Sequence, residues 1–303
     1  MIIKNICDAE LSGLSRHIVA LGNFDGVHYA HTELIRKAKE IAFSLCETAG
    51  EKVLTAVFTF SDLKKPYITT TDEKLAIFEK LGVDCVFLCP FEYVRNMSPE
   101  DFVHDILVKK LGCVHTVCGY NYRFGKNATG DQFLLGELAK KYSFGCTVIG
   151  EIPGVSSTRI RELVSSGRIA EANEIIGRPF TVSGRIIHGR GVGHTFGCPT
   201  LNIEIPEGKL LPLNGVYFSL CRIGKDLYPS ITNVGVCPTF GTDKITCENH
   251  LIDISCELYG EFAEVFFLAF RRSEKRFSSP EELYKTVNED ISAARDFHIY
   301  HYQ

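Results

Sequence analysis

Hydrophobic residues in the first half of the chain form short continuous runs, separated by longer segments with helical spacing. The runs at 18–21 and 53–60 are apolar or β-branched throughout, which is typical of strands buried on both faces of a parallel sheet. The segment after the first run repeats apolar residues at helical spacing, as Leu34, Ile35 and Ala38 illustrate. The alternation of strand and helix predicts an α/β, doubly wound parallel sheet. Further strands are predicted at 83–88, 115–118 and 146–149, and helices at 69–81, 98–111 and 132–142.

Beyond Pro179 the pattern changes to closely spaced strands separated by turns, which predicts a small antiparallel β-barrel. A helix that begins at Ser279 is predicted to close the chain, and another is predicted to run unbroken from 161 to 176. We therefore expect one domain over 1–178 and a second over 179–303. The barrel strands are predicted at 180–187, 216–223, 230–234, 250–258 and 263–270.

Composition narrows the class of protein. The 303 residues include 33 Lys and Arg against 37 Asp and Glu, so no polybasic surface for nucleic acid is indicated. No apolar run reaches the roughly 18 residues needed to span a membrane, and the first ten residues lack the features of an export signal. The 12 cysteines include no Cys-x-x-Cys pair. We interpret them as reduced, buried thiols of a cytoplasmic protein.

The stretch 21–31 combines the end of a strand, two glycines and two histidines at the start of a helix. Backbone N–H groups and the helix dipole make such a strand–turn–helix junction a binding site for anions. His28 and His31 add donors where a triphosphate would lie. Taken alone, an H-x-x-H pair is also compatible with surface or core histidines or with half of a zinc site. The chain has no G-x-x-x-x-G-K-[ST] motif, so an ordinary P-loop is not indicated.

This stretch resembles the nucleotidylyltransferase signature H-x-G-H, in the long form G-x-F-D-G-V-H-x-G-H of bacterial bifunctional riboflavin kinase/FAD synthetases. Ala30 stands where the family has glycine. The resemblance implies a Rossmann-like nucleotidylyltransferase domain in which His28 and His31 act in catalysis. It also implies that the residues before them bind ATP, namely Gly22, Asn23, Phe24, Asp25 and Gly26.

Two later stretches of the first half also match the family. Residues 119–131 are similar to its G-x-[DN]-[FY]-x-F-G segment, which implies flavin binding by Asn121, Phe124 and Gly125. Residues 155–161 place hydroxyls and arginines at a helix start, a combination that suits a phosphate-bearing ligand. They are similar to the family's S-S-T-x-I-R. This similarity implies that Ser157 and Thr158 bind the β- and γ-phosphates of ATP and that Arg161 is catalytic. The implied reaction is attack of the FMN phosphate on the α-phosphorus of ATP.

The glycine-rich stretch 188–203 has a backbone able to wrap phosphates, although such a loop alone is weak evidence. It resembles the flavokinase signature G-x-G-R-x-x-G-[FY]-P-T-A-N. The resemblance implies that Thr200 binds Mg²⁺ and that Asn202 supports the ATP site. His194, Cys198 and Leu201 depart from the family's residues at their positions. The glycines expected at the phosphates are Gly189, Gly191 and Gly193.

Two downstream stretches complete the match. Residues 233–241 and 248–253 look like the family's N-x-G-x-x-P-T-F and E-x-H-x-x-D motifs. A carboxylate beside a reacting hydroxyl can accept its proton during phosphoryl transfer. By resemblance Glu248 is this general base, acting on the 5′-hydroxyl of riboflavin. Taken alone, a single glutamate here is also compatible with a solvated residue at a strand start, and Asp253 is expected in a structural role. The R-x-E-x-x-F motif at 272–277 is assigned no catalytic role.

The ordered motifs are interpreted as those of a bifunctional enzyme that phosphorylates riboflavin and adenylylates FMN, using ATP and Mg²⁺ in both reactions. We expect a monomer or a weak homo-oligomer that binds neither nucleic acid nor membrane. One alternative is a monofunctional FAD synthetase, because His194 and Cys198 alter the kinase loop. A second is a flavin-sensing regulator without catalysis. A third is adenylyl transfer to another acceptor, such as a pantetheine phosphate or a glycerol phosphate.

Overall fold

The computed structural model describes residues 1–8, 16–50, 52–61, 65–188, 200–239, 242–254 and 258–301. The chain divides by its internal contacts into two compact units. The first unit consists of residues 1–64 and 69–156, and the second of residues 65–68 and 157–303. The domain boundary expected after residue 178 stays a prediction. No helix in the described ranges is both long and apolar enough to cross a membrane.

The first unit is an α/β fold built on a parallel sheet. In the described residues its strands have the order β1-β4-β3-β2-β5-β8, and each pairs in parallel with its neighbours. The predicted fold class is confirmed. The sheet strands are β1 (Ile2–Asn5), β2 (Arg16–Leu21), β3 (Val53–Phe60), β4 (Cys85–Cys89), β5 (Cys113–Gly119) and β8 (Gly145–Ile149), and a two-stranded ribbon is formed by β6 (Arg123–Phe124) and β7 (Gly130–Asp131). The α-helices are α1 (Tyr29–Ala49), α2 (Thr71–Lys80), α3 (Phe91–Val94), α4 (Pro99–Asp101) and α5 (Gln132–Lys141).

The central strand β2 shows why its sequence lacks polar alternation. Ile18 and Ala20 belong to one buried hydrophobic cluster, whereas Val19 and Leu21 belong to another. Successive side chains of a strand point to opposite faces, so these two clusters lie on opposite faces of the sheet. Helices cover both faces of such a parallel sheet, and a continuous apolar run is therefore required.

Two features of the first unit differ from the predictions. Strand β1 was not predicted; it pairs with β4 at the edge of the sheet. The helix expected from residue 98 is capped by Ser98, but after α4 it continues as a π-helix (Phe102–Lys110) that still buries its apolar face. The stretch 119–131 contains the β6–β7 ribbon and a 3₁₀ turn (Lys126–Ala128).

The second unit contains a closed antiparallel barrel, as predicted. Among the described residues its strand order is β10-β13-β12-β11-β14-β9, and β9 pairs with β10 to close it. The strands are β9 (Phe180–Ile187), β10 (Leu201–Ile203), β11 (Gly215–Ile223), β12 (Asp226–Thr239), β13 (Thr242–Leu251) and β14 (Phe262–Ser273). The helices of this unit are α6 (Ser157–Ser165), α7 (Ile169–Ile176) and α8 (Pro280–His301).

Two predictions for the second unit are wrong. The helix expected over 161–176 is broken between α6 and α7, where Gly167 has a φ of +78° that a continuous helix does not allow. The strand expected over 250–258 is displaced, because β13 ends at Leu251 and Asp253 has a left-handed φ of +60°. Glu248 therefore lies inside β13, paired with Asn233 of β12, and not at a strand start.

Gly184 in β9 provides a test of packing in the barrel. A Cβ at this position would lie 2.0 Å from the carbonyl oxygen of Glu204. This is a backbone atom directly after β10, so it cannot move aside without displacing the end of that strand. We expect Gly184→Ala to lower the free energy of unfolding by about 3 kcal/mol. Gly136→Ala is the matched control, because no atom lies within 4 Å of its Cβ position in α5. It should stabilise by up to about 1 kcal/mol. Urea unfolding of both variants measures this, and an unchanged midpoint for Gly184→Ala contradicts the barrel packing.

Candidate active sites of the two units

The first site lies at the carboxyl end of β2, in the tight turn 22–28 that leads into α1. Gly26 has a φ of +86°, and Phe24 and Val27 also have positive φ values of 52° and 37°. The Phe24 ring packs closely on Gly22, since a Cβ on Gly22 would lie 3.1 Å from it. The Phe24 side chain is fully buried, so only its backbone remains to meet a ligand. This turn sets the entry angle of α1.

The two histidines lie at the N-terminus of α1. His28 is the N-cap residue and is 6% exposed, and its side chain makes no capping hydrogen bond. His31 follows in the first helical turn, and the two rings stack with centroids 3.8 Å apart and an angle of 17° between their planes. The helix is 21 residues long. Its N-terminus combines backbone N–H groups, the positive end of the dipole and two imidazoles, a combination that suits an anionic ligand.

Asp25 and Thr69 hold the turn from the side. Asp25 is 3% exposed, and its Oδ1 accepts a hydrogen bond of 3.3 Å from the Thr69 backbone N–H. The Thr69 hydroxyl in turn accepts one of 3.1 Å from the Gly26 N–H. Thr69 was not identified from the sequence, because nothing in its local pattern sets it apart from the helix cap at Thr70. Ala30 is helical and not among the positive-φ residues, so its position does not require the backbone freedom of glycine.

The residues expected to bind flavin lie beside the ribbon β6–β7. Asn121 is exposed, whereas Phe124 is 6% exposed and packs against Phe102 with ring centroids 5.6 Å apart. Gly125 has a φ of +72°, and a Cβ there would lie 2.8 Å from atoms of Pro99. Local packing therefore requires glycine at 125 and an aromatic core residue at 124. Their roles toward a flavin stay predictions.

The hydroxyls and arginine expected at the ATP phosphates lie in the second unit. Ser157 and Thr158 begin α6, and Arg161 lies one turn further along. The Arg161 Nε donates a hydrogen bond of 3.0 Å to the Pro66 carbonyl, which belongs to the same unit. The roles of these residues at phosphates stay predictions.

The second site is a cavity of about 290 Å³ on the outer face of the barrel. Cys247 and Asn249, which flank Glu248 along β13, are 1% and 0% exposed and face the barrel interior, so Glu248 faces outward. Helix α8 packs on this outer face through Ile291 and Ala294. The cavity is lined by Thr200, Val216, Ile231, Asn233, Glu248, His250, Arg272, Glu274, Lys275, Phe277, Leu283, Tyr284, Val287, Asp290 and Ile291.

Strand register explains how the cavity brings distant motifs together. Glu248 lies opposite Asn202 of β10 on one side and opposite Asn233 of β12 on the other. Directly opposed residues of an antiparallel pair share a face, with Cβ atoms about 5 Å apart. Thr200 lines the same cavity just before β10 begins. The structure thus brings together Thr200, Asn202 and Glu248, which the sequence predicted from separate motifs.

The cavity also contains residues that the sequence analysis missed. Arg272, Glu274 and Phe277 line it, all from the R-x-E-x-x-F motif that was assigned no role. The Arg272 Nη2 and Nε donate to the Oδ2 of Asp290 at 2.6 and 2.8 Å, which ties β14 to α8. The motif itself was the available signal, but its place beside α8 depends on tertiary packing.

The cavity is lined by both apolar and oxygen-bearing side chains. Val216, Ile231 and Val287 form an apolar wall, and Phe277 and Tyr284 add aromatic rings. Glu248 of β13 and Thr200, just before β10, provide oxygen atoms. Such a cavity suits a planar apolar ring that carries a polar chain. Gly189, Gly191 and Gly193 lie outside the described residues, as do His194 and Cys198.

The described residues include no cluster of three His, Cys, Asp or Glu side chains able to hold a metal ion. Mg²⁺ normally needs fewer protein ligands, because it retains waters and shares the phosphates of its substrate. The hydroxyl, amide and carboxylate oxygens of Thr200, Asn202 and Glu248 are hard donors of the kind that Mg²⁺ prefers. The donor set therefore fits this ion.

The first unit has a parallel α/β fold with two histidines at a helix N-terminus, and the barrel of the second unit has a carboxylate in a cavity. These features are typical of enzymes that transfer phosphate-containing groups. The comparisons identify the family. A family profile described as FAD synthetase matches residues 12–162, and one described as riboflavin kinase matches residues 176–298.

Curated relatives match nearly the whole chain. The bifunctional riboflavin kinase/FMN adenylyltransferase of Listeria monocytogenes is 34% identical over 297 residues, which cover 92% of each chain. The protein of the same description from Escherichia coli K12 is 31% identical over 312 residues, covering 97% of this chain and 96% of its own. The chain belongs to the family of bifunctional riboflavin kinases/FMN adenylyltransferases.

A solved structure also matches nearly the whole chain. It is described as a macrolide-efflux protein from Streptococcus pneumoniae, with a TM-score of 0.84 over 97% of this chain and 99% of its own. At 24% sequence identity this likeness shows the shared fold alone.

Proposed function

We propose that the chain carries the residues of both reactions in a two-step synthesis of FAD from riboflavin. The chain, as a member of its family, is a riboflavin kinase and an FMN adenylyltransferase. The assignment of the kinase residues rests on the cavity on the barrel, which Glu248 and Thr200 line together with apolar side chains. Glu248 faces this space from within a strand, so its position is set by the sheet and not by a loop.

In the kinase reaction, the flavin ring lies against the apolar wall and the ribityl chain extends toward Glu248. The Glu248 carboxylate accepts the proton of the 5′-hydroxyl as that oxygen attacks the γ-phosphorus of ATP. The new P–O bond forms as the bond to the β-phosphate oxygen breaks, and FMN and ADP are the products. Asn202, directly opposite Glu248, supports the ATP side of the site.

Mg²⁺ belongs to this proposal. Thr200 would hold the ion together with the ATP phosphates. When bound, the ion neutralises negative charge that develops on the transferred phosphoryl group.

In the transferase reaction, an oxygen of the FMN phosphate attacks the α-phosphorus of ATP, and pyrophosphate leaves as the bond to the β-phosphate breaks. No protein nucleophile is needed, so the contribution of the protein is alignment and charge stabilisation. The turn 22–28, the N–H groups of the first turn of α1, His28 and His31 provide these. By motif resemblance, Ser157, Thr158 and Arg161 act on the β- and γ-phosphates, and Asn121, Phe124 and Gly125 hold the flavin.

Separation of flavins by chromatography tests the proposal. The purified protein is incubated with ATP and Mg²⁺, from riboflavin and from FMN in separate reactions, and each is repeated with excess EDTA. We expect FAD from both substrates, with no turnover in EDTA. FAD from FMN alone would assign the chain as a monofunctional FAD synthetase. Flavin binding without turnover would instead favour a sensor.

The finer expectations on location and assembly also belong to the proposal. We propose a cytoplasmic enzyme that acts as a monomer or a weak homo-oligomer on small molecules. Its cysteines support a reducing compartment, since no disulfide joins any of those that the structure describes. Sedimentation at working concentration tests the oligomeric state, and a stable large oligomer would contradict it.

A further inference from the structure

Lys74 of α2 is a lysine buried in the first unit, with 1% of its surface exposed. Its ammonium lies beside the turn 22–28 and donates three hydrogen bonds. The acceptors are the Thr59 hydroxyl at 3.1 Å, the Asn23 carbonyl at 3.3 Å and the Phe60 carbonyl at 3.3 Å. Three N–H donors thus meet three acceptors, the full complement of a lysine ammonium.

These acceptors belong to two neighbouring segments at the carboxyl ends of β2 and β3. Thr59 and Phe60 are the last residues of β3, and Asn23 lies in the turn that follows β2. The Thr59 hydroxyl also donates to the Asn23 carbonyl at 2.9 Å, so one carbonyl oxygen of the turn accepts from both side chains. Lys74 and Thr59 therefore hold the turn at a single point, one residue before the positive φ of Phe24.

Burial of a cation requires compensation, and here Asp25 supplies it. Burial lowers the pKa of Lys74 to about 8, and the Asp25 carboxylate opposes this shift. At neutral pH the amine is therefore mostly protonated and keeps all of its donors. Asp25 is also the residue that binds the Thr69 N–H, so the turn is held from both sides.

We propose that Lys74 is a positioning residue for adenylyl transfer, which acts through the Asn23 carbonyl to fix the turn that leads to His28. The inference rests on the proposed transferase function of this site. Phe24 and Val27 have backbone conformations that non-glycine residues seldom adopt, and such conformations persist only where their surroundings hold them. Loss of the ammonium releases the turn, and the first turn of α1 with its histidines is then misaligned.

Two variants separate positioning from stability. Lys74→Met removes the ammonium but keeps much of the side-chain volume, and Thr59→Val removes the hydroxyl in a nearly isosteric way. We expect each to lower kcat for FAD formation from FMN about 10- to 100-fold, since small misalignments of reacting groups have effects of this size. Riboflavin phosphorylation by the same protein should keep its kcat and KM. Lys80→Met, at an exposed lysine of the same helix, is the matched control and should change neither reaction.

Coupling and rescue distinguish this role from a general packing defect. The double variant should lose little more transferase activity than either single variant, because both side chains act on one carbonyl. Thr59→Ser, which keeps the hydroxyl, should restore most of the activity lost in Thr59→Val. If Lys74→Met does not fold, the Thr59 pair still decides the question.

Three results overturn the inference. They are an unchanged kcat in Lys74→Met and Thr59→Val, fully additive effects in the double variant, and an equal loss of kinase activity. A wild-type protein that makes no FAD from FMN overturns the proposed transferase function, and this inference falls with it. Wild-type turnover with unaffected variants overturns the inference alone.

Discussion

Replacement of Glu248 by glutamine is expected to lower kcat for riboflavin phosphorylation by about 10²- to 10⁴-fold, the usual contribution of a general base. The amide keeps the size of the side chain but cannot accept the proton of the 5′-hydroxyl. FAD formation from added FMN should be unchanged, because Glu248 lies in the barrel. Product analysis of riboflavin and FMN reactions, run with the same enzyme preparation, measures both effects.

Glu261→Gln is the matched control for this variant. Glu261 is an exposed glutamate just before β14 and does not line the cavity, so its replacement should leave both reactions intact. A Glu248→Gln protein with wild-type kinase turnover would remove Glu248 as the base. A loss of binding with unchanged kcat would move its role from proton transfer to substrate affinity.

Replacement of His28 by alanine is expected to lower FAD formation from FMN by about 10²- to 10³-fold, the effect of losing one preorganised donor to a developing charge. His28 is held at the N-cap of α1 and stacked on His31, so its ring is already oriented before a ligand binds. FMN formation from riboflavin should persist, and FMN should therefore accumulate in a reaction started from riboflavin. Chromatography of that reaction over time measures this.

His104→Ala provides the control for the loss of a histidine from the same unit. The His104 side chain is 40% exposed, pairs with Asp105 and contacts the Tyr142 ring, and neither partner belongs to the turn 22–28. Its replacement should change neither reaction. An equal loss of both activities in His28→Ala would show that the variant disturbs the whole chain, and the assignment of His28 to the transferase would then fail.

The architecture of the first unit could be predicted because its signals are local. A strand buried on both faces needs a continuous apolar run, and a covering helix needs one apolar stripe, so 18–21 and the segment after it identify their own structures. The helix start at Ser98 was likewise readable from its cap. The π-helical continuation was not, since it keeps the same residues buried and leaves the apolar pattern unchanged.

Not all strand bounds of the barrel could be predicted from local sequence patterns. Closely spaced strands predicted its class, but the bounds of β13 depend on pairing with β12 over ten residues. That register is decided by contacts between distant segments. The expected strand at 250–258 was therefore misplaced, and the break at Gly167 was missed because glycine is tolerated in a helix.

The sequence by itself determined the two fold classes, the family and the residue types that carry the chemistry, because each depends on local pattern or on ordered motifs. Only the tertiary structure decided which of these residues meet. Strand register places Asn202 beside Glu248, and the packing of α8 brings Arg272 and Phe277 to the same cavity. The buried Lys74 contacts the turn 22–28, although nothing in the sequence around this lysine indicates such a contact. The burial of this lysine and the register of the strands arise from contacts between segments distant in sequence, and no local pattern encodes them.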